Sequence, residues 1–438
     1  MAYENNKFRT NTDEAVYESG NNCTVYLYRN SQTKEYEAYV SRLLANGYSL
    51  LQKNENYNFH FCALTKETEQ INILFTPCDQ TVRIAVDLQR TSIPLLQTSC
   101  CARGETAFYA FENDHTLIDC GMCLLVQCPD NSFFVVDSGH YFQMNDNDRL
   151  HSFMRERTPA GEKIVINGWL VTHTHSDHIS KLSDFLKYNC DDVVIEGFYM
   201  NFLSENYVSE DWGREENEMG LRFRQQLAQL KNIPKHKIHT GQRLYIRNLV
   251  LDVLCTQEDI HPQKIEDFND SSVVVMLAAE NTKIFIPGDA SEKCSEILEQ
   301  RFGDKLKCDI VQISHHGHSG LSEKVYEYLH ADIAVFPVTR IKFAEELPRL
   351  AANRTAIALA KEYYITSDGT VKISLPYNEK SISVYPDEAI EDFRKIERLW
   401  GYTYTPEYRK ELYDLFLQNG GKPENTLLPV CCDGTFLD

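Results

Sequence analysis

No run of about 20 apolar residues occurs in this chain, so no membrane-spanning helix is expected. The opening residues, MAYENNKFRTNTDEAVYESGNN, lack a basic start followed by an apolar run, so no secretory signal is visible. Internal repeats and low-complexity segments are missing too, which sets aside a fibrous or disordered chain. Positive charge is in deficit: 44 Lys and Arg face 64 Asp and Glu, a formal net charge of -20. A surface this acidic repels phosphate backbones, so a protein that coats nucleic acid is not expected. A metal site can still reverse that field locally.

Cysteine is not scarce, but its pattern is uninformative. Of the fourteen, Cys120 and Cys123 have a spacing that formally fits a zinc knuckle, yet no second pair follows at the usual distance and the stretch reads as a strand. The cysteines therefore read as reduced, mostly buried thiols. Together with the lack of a signal, they lead to an expected cytoplasmic location.

What is present is enough for more than one domain. The chain has 438 residues, 42% of them hydrophobic and 25% charged, in the range of globular proteins and too long for one ordinary core. Residues 1–22 read as a flexible lead-in. From 23 to 97 a strand, an amphipathic helix (YEAYVSRLLANG) and four further strands predict a small α/β unit of antiparallel sheet. From 98 to 385, strand pairs followed by single helices predict two sheets with helices packed outside, an α/β arrangement. Residues 386–438 read as a C-terminal helical extension.

The chemistry is concentrated in His173-Thr174-His175-Ser176-Asp177-His178, which directly follows the apolar run IVINGWLVT. In an extended segment residues two apart point the same way, so His173 and His175 can reach one metal. The chain then enters a helix whose first turn carries Asp177 and His178, placed to face a second metal. Imidazole and carboxylate ligands suit zinc, with Mn or Fe as alternatives.

This motif resembles the metal-binding signature of the metallo-β-lactamase superfamily, and other landmarks follow in the family's order from about residue 98 to 385. Asp137-Ser138-Gly139 ends a strand, and the resemblance implies that Asp137 supports the metal ligands from behind. Gly288-Asp289 follows the strand KIFIP, and implies that Asp289 bridges two metals. His315-His316-Gly317 follows the strand DIVQIS and supplies the last ligand of the second metal. His315, nearer the strand end, is preferred for that place. The implied fold is an αββα sandwich carrying the small N-terminal α/β domain and the C-terminal helices.

The sequence departs from the lactonase and thioesterase branches, which carry a further metal-binding His between the first motif and the bridging Asp. Only His236, His239 and His261 occupy that interval, none in a Gly-Thr-x-Gly-His context. A third ligand for the first metal is left to His261, a water, Asn269 or Asp270. Phe268-Asn269-Asp270-Ser271-Ser272-Val273 resembles a segment of the His-His-Gly subgroup, which includes hydrolase domains of competence-type DNA-uptake proteins and phosphorylcholine esterases. The iron diflavin branch usually has Glu at the position of His175, which argues against an oxygen-reducing site.

The implied function is hydrolysis by a hydroxide generated on a dinuclear site, two zinc ions being favoured. Asp177 would orient the nucleophile, and His316 or His318 would give a hydrogen bond or proton to the leaving group. A small-molecule or polymeric phosphodiester is the expected substrate. Nucleic acid is admitted but not favoured, no membrane partner is expected, and nothing in the sequence bears on oligomeric state. The alternatives are hydrolysis of an ester, lactone or thioester, and a non-catalytic metal-binding scaffold.

Overall fold

The computed structural model describes residues 6–9, 14–20, 22–88, 94–95, 104–115, 118–209, 212–387 and 390. The expected C-terminal helical extension falls almost wholly outside them.

Six strands, β1 (Glu14–Glu18), β2 (Cys23–Tyr28), β3 (Ser49–Asn54), β4 (His60–Lys66), β5 (Glu69–Thr76) and β6 (Thr81–Asp87), form an antiparallel sheet in the order β1-β2-β6-β5-β4-β3. β1 lies in the segment read as a lead-in. Helix α1 (Thr33–Ala45) covers one face, burying Tyr36, Tyr39 and Leu43 along one stripe. A capping box between Gln32 and Glu35 starts it. Side chains alternate along a strand, so Ile71, Ile73 and Phe75 of β5 pack beneath α1. The residues between them, Asn72 and Leu74, face the other way and are also buried.

That second face belongs to the interior of the larger domain. Phe59, Phe61, Ala63 and Leu74 share one buried cluster with residues of both sheets of that domain. The polar residues among them find partners across the junction. Asn54 Nδ2 donates to Gly241 O at 3.0 Å, Gln242 Nε2 to Asn72 Oδ1 at 3.0 Å, and Gln52 Nε2 to Arg243 O at 2.7 Å. Every strand residue of β5 is buried because the sheet is covered on both sides.

The larger domain holds two sheets. The first is built from β7 (Thr106–Ala110), β8 (Cys123–Gln127), β9 (Phe133–Asp137), β10 (Ile164–Leu170), β11 (Val193–Ile195), β12 (Phe198–Met200), β13 (Lys235–Lys237), β21 (Thr370–Leu375) and β22 (Ile382–Tyr385). Its order is β13-β12-β10-β9-β8-β7-β21-β22, with β11 also on β10. The second sheet runs β14 (Arg243–Ile246), β15 (Leu249–Cys255), β16 (Val274–Ala279), β17 (Thr282–Ile286), β18 (Ile310–Gln312), β19 (Ile333–Phe336) and β20 (Glu362–Ile365). Helices α2 (Asp146–Arg157), α3 (Ser176–Tyr188) and α4 (Arg214–Gln229) pack on the outer face of the first sheet, where Met154, Ile179, Leu182, Phe185, Phe223 and Leu227 meet Trp169 and its neighbours. Helices α5 (Glu292–Arg301), α6 (Glu323–Leu329), α7 (Arg340–Arg349) and α8 (Ala351–Leu359) serve the second sheet. This is the αββα sandwich expected from the sequence.

The local sequence explains the turns that matter. The β8–β9 hairpin turns at Pro129-Asp130-Asn131-Ser132. Asp130 Oδ1 accepts from Ser132 N at 3.1 Å, and Asn131 takes a left-handed φ of 64°. Gly168 within β10 has no room for a side chain, because a Cβ there would lie 2.7 Å from the Phe134 ring.

Arg301 of the larger domain also reaches the N-terminal unit, its Nη2 lying 3.8 Å from Asp79 Oδ2. Arg301 of α5 is 2% exposed and donates to Asp259 Oδ1 at 2.5 Å, while Arg83 of β6 donates to Asp259 O at 2.7 Å. Asp259→Ala would leave Arg301 buried without its carboxylate. A loss of about 3–5 kcal/mol is expected from urea unfolding, and a loss below about 1 kcal/mol would contradict this account of the buried pair.

Candidate metal centre

The site lies where parallel strands end. β9 runs parallel to β10 in one sheet, and β17 parallel to β18 in the other. Their C-terminal ends deliver Asp137, the His173–His178 loop, Asp289 and the His315–His316 turn to one place, the usual position of ligands in parallel α/β sheets. A hydrogen bond from Val273 N to Thr172 O, 3.0 Å, joins the two sheets beside it.

Asp137 is fully buried at the end of β9 with a φ of 55°. Its Oδ1 accepts from Thr172 N at 2.8 Å. Its Oδ2 accepts from Thr172 Oγ1 at 2.7 Å and from His178 Nδ1 at 2.7 Å. That last bond leaves His178 Nε2 directed away from Asp137, 3.1 Å from Asp289 Oδ2 and 3.7 Å from Asp177 Oδ1. His316 is set in the same manner. Its Nδ1 donates to Pro337 O at 2.9 Å, and its Nε2 lies 2.9 Å from Asp177 Oδ2 and 3.4 Å from Asp289 Oδ2. A hydrogen-bonded Nδ1 and a free Nε2 are the arrangement of a metal-binding histidine.

Asp289 sits at the vertex. Its backbone N donates to Ser272 Oγ at 3.1 Å. Gly288 before it has a φ of 60°, and a Cβ there would meet Thr172 at 2.8 Å, so only glycine allows the turn. Two ligand groups share Asp289: one adds Asp177, His178 and His316, the other His173 and His175. Within each, the candidate ligand atoms lie within 4.8 Å of one another.

The residues fit divalent cations. His173 Nε2 and Asp289 Oδ1 are buried and have no hydrogen-bond partner in the protein, a costly arrangement unless a cation engages them. Burial alone would raise the Asp177 and Asp289 carboxyls, but the adjacent His178 and His316 hold both well below the usual range. Burial opposes a charge on His316, yet Asp289 and Asp177 bring it up to about 10. Burial, then the neighbouring His178 and His175, keep His173 well below its ordinary value, hence neutral and ready to ligate. Without metal the carboxylates are balanced by imidazole protons; a cation would replace those protons.

The structure brings together His173, His175, Asp177, His178, Asp289 and Asp137. It places His316, and not the preferred His315, in the cluster. His315, His316 and Gly317 have φ values of 50°, 55° and 89°, so the chain coils left-handed after β18 and turns its second histidine inward. Proximity to the strand end was therefore the wrong guide. His315 instead donates from Nδ1 to Ser319 O at 2.9 Å and has Nε2 3.4 Å from Asn269 Nδ2.

His261 is not brought to the centre; it stacks on Tyr17 of the N-terminal unit with ring centroids 3.5 Å apart. Asp270 caps α5, its Oδ1 accepting from Ser291 N and Cys294 N, both at 3.0 Å. Asn269 has a buried, unpartnered Oδ1 and stands beside His315. Among the described residues the His173–His175 group therefore has two histidines and the shared Asp289. His318, offered as a proton donor, is pulled down to about 3 by burial and by the charge of His316.

Some neighbours were missed in the sequence. Glu216 of α4 accepts from Ser176 N at 2.8 Å and Ser176 Oγ at 2.7 Å, fixing the start of α3. Cys120 is half-buried beside Asp177; loss of solvation and then that charge push its thiol well up. His140 is 6% exposed, and its backbone N donates to Gln143 Oε1 at 2.7 Å. Its place three residues after Asp137 was the available signal.

No protein-family model matches the chain, and no curated protein does. Among solved structures it is similar to the metallo-beta-lactamase fold protein YhfI from Bacillus subtilis, at 12% identity and TM-score 0.34 over 59% of this chain and 95% of that one. It is also similar to CmlA, a diiron β-hydroxylase from Streptomyces venezuelae, at 15% identity and TM-score 0.32 over 73% and 52% of the two chains. Unliganded yeast PDE1 is similar at 11% identity and TM-score 0.32 over 72% and 95%. Similarities this distant assign no chemistry, which has to come from the site itself.

Asp137→Asn keeps the volume but removes the charge behind His178. Metal affinity is expected to fall about 10–100-fold in a chelator competition. Affinity should also depend on pH. Below about 10, His316 of the metal-free protein holds a proton that a cation must displace. Affinity is thus expected to rise with pH, about tenfold per unit for each proton displaced; a pH-independent affinity between 6 and 8 would contradict the ligand set (roughly two pH units being enough to see it).

Proposed function

We propose that the chain is a metal-dependent hydrolase of the metallo-β-lactamase type, acting on a phosphodiester at a dinuclear centre. The observation that carries the reading is the pair of ligand groups meeting at Asp289. Asp177, His178 and His316 would hold one cation, His173 and His175 the other, with Asp289 common to both. Zinc suits this donor set, with Mn and Fe as alternatives. When bound, such a pair lowers the pKa of a water from 15.7 toward roughly 7 and offsets negative charge as it develops on the substrate.

The protein's own groups have separable tasks. Asp137 fixes the orientation of His178, and Pro337 O that of His316. Asp177 has the most accessible side chain of its group, 14% exposed against 0–1% for His178, Asp289 and His316. It is the carboxylate placed to orient an attacking water and accept its proton. His316 is committed as a ligand, so the contact to the leaving group passes to the partly exposed His315 and to Asn269.

A phosphodiester is favoured because the His173–His175 group offers few protein ligands, leaving positions for substrate oxygens. An anion with two free oxygens is also the substrate that gains most from two adjacent cations in an otherwise acidic protein. The substrate would be a small or polymeric phosphodiester, with nucleic acid disfavoured by the net charge of -20. Buried free thiols suit a reducing compartment such as the cytoplasm.

The test is hydrolysis of bis(p-nitrophenyl) phosphate by the zinc- or manganese-loaded protein. Turnover is expected, and Asp289→Ala is expected to lose at least one metal equivalent and nearly all of it. A protein shown to carry both metals but inert toward the diester would move esters, lactones and thioesters ahead. Full activity of Asp289→Ala with both metals retained would overturn the site.

A further inference from the structure

A second set of ligand-type side chains lies away from this centre, at the junction of the N-terminal sheet and the larger domain. Cys23 opens β2, Asp87 closes β6, and His239 lies in the loop between β13 and β14. Their Sγ, carboxylate O and imidazole N all lie within 4.8 Å of one another. Ligand atoms of a tetrahedral zinc site stand roughly 3.3–3.7 Å apart, given bonds of about 2.0–2.3 Å. His239 Nε2 and Asp87 Oδ2 are already at 3.1 Å.

The surroundings are those of a metal ligand set. The other nitrogen of His239, Nδ1, faces Glu258 Oε2 at 2.7 Å, the carboxylate–histidine pairing that orients a coordinating imidazole. The oxygen-bearing ligand is also held, since Asn72 Nδ2 donates to Asp87 Oδ2 at 2.9 Å. Glu258 is itself fixed by Ser19 Oγ at 2.5 Å and Lys237 Nζ at 3.3 Å. Cys23 is 3% and His239 2% exposed. A cavity of about 20 Å³ borders His239, Glu258 and Asn72, enough for one water.

We propose that Cys23, Asp87 and His239 form a third metal site, for a zinc-class divalent cation, that clamps the N-terminal sheet to the hydrolase domain. Binding replaces the thiol proton of Cys23 and the Nε2 proton of His239, and both protons leave to solvent. One cation of charge +2 in place of two protons leaves the buried charge of the group unchanged. Asp87 and Cys23 come from the N-terminal sheet, His239 and Glu258 from the larger domain, so the bond set spans the junction. This site is independent of the dinuclear centre and of the reaction assigned there.

Cobalt substitution of the full-length protein tests it, because a thiolate ligand gives a near-ultraviolet charge-transfer band that histidine and carboxylate ligands do not. The wild-type protein is expected to bind about three equivalents of zinc and to show the band with cobalt. Cys23→Ser should lose one equivalent and the band while keeping diester turnover. Asp289→Ala should keep the band although the dinuclear centre is damaged. Cys120 lies beside Asp177, so a band that survives in Cys23→Ser would come from the other centre and would overturn the proposal. So would about two equivalents and no band in the wild type. If Cys23→Ser does not fold, Cys120→Ser decides: a retained band supports the site and a lost band overturns it.

Discussion

The buried carboxylate of Asp289 is the constraint around which the rest is arranged. A charge taken out of water must be paired or bound to a cation. Here it meets three imidazoles and shares its vertex with Asp177. It can occupy that place because Gly288 adopts a left-handed turn against Thr172, and because Thr172 is in turn held by both oxygens of Asp137. The same Asp137 aims His178. One chain of hydrogen bonds thus runs from the end of β9, through the end of β10, to the candidate metal ligands.

That arrangement requires two sheets to end in register at one seam. Each sheet buries an inner face against the other and an outer face against helices, so the strands cannot slide without exposing apolar residues. Rigid strand ends are what hold side chains from four separate segments within a few ångströms. The loops supply the chemistry, and the packed core supplies its precision.

The N-terminal unit takes part in this core. Its sheet shows the alternation of a half-exposed antiparallel sheet, with Asn72 between Ile71 and Ile73, yet the polar side is covered. Asn54, Asn72, Arg83 and Asp87 each meet a partner in the larger domain. A buried polar junction of this kind specifies one docking geometry, because any other would leave charges and amides unpaired. It also explains how ligand-type residues 216 positions apart, Cys23 and His239, come into contact range.

Local pattern determined a great deal here. Alternation marked β2 to β6, and paired apolar runs marked most strands of the larger domain. Period 3.6 marked α1, α3, α4 and α5. The spacing of His173, His175, Asp177 and His178 was enough to propose a pair of metals, since strand and helix geometry are local properties. Short elements such as β13 and β20 carry too few residues for a period to emerge. Tertiary structure decided what depends on backbone signs and distant partners. Three successive left-handed residues turn His316 inward in place of His315, and no side-chain period reports a positive φ. Asp270 became a helix cap, and His261 a stacking partner of Tyr17, because the elements they meet lie far along the chain. Whether the polar face of the N-terminal sheet met water or protein was equally undecidable from the strand itself, because alternation reports only that two faces differ, not what covers each of them.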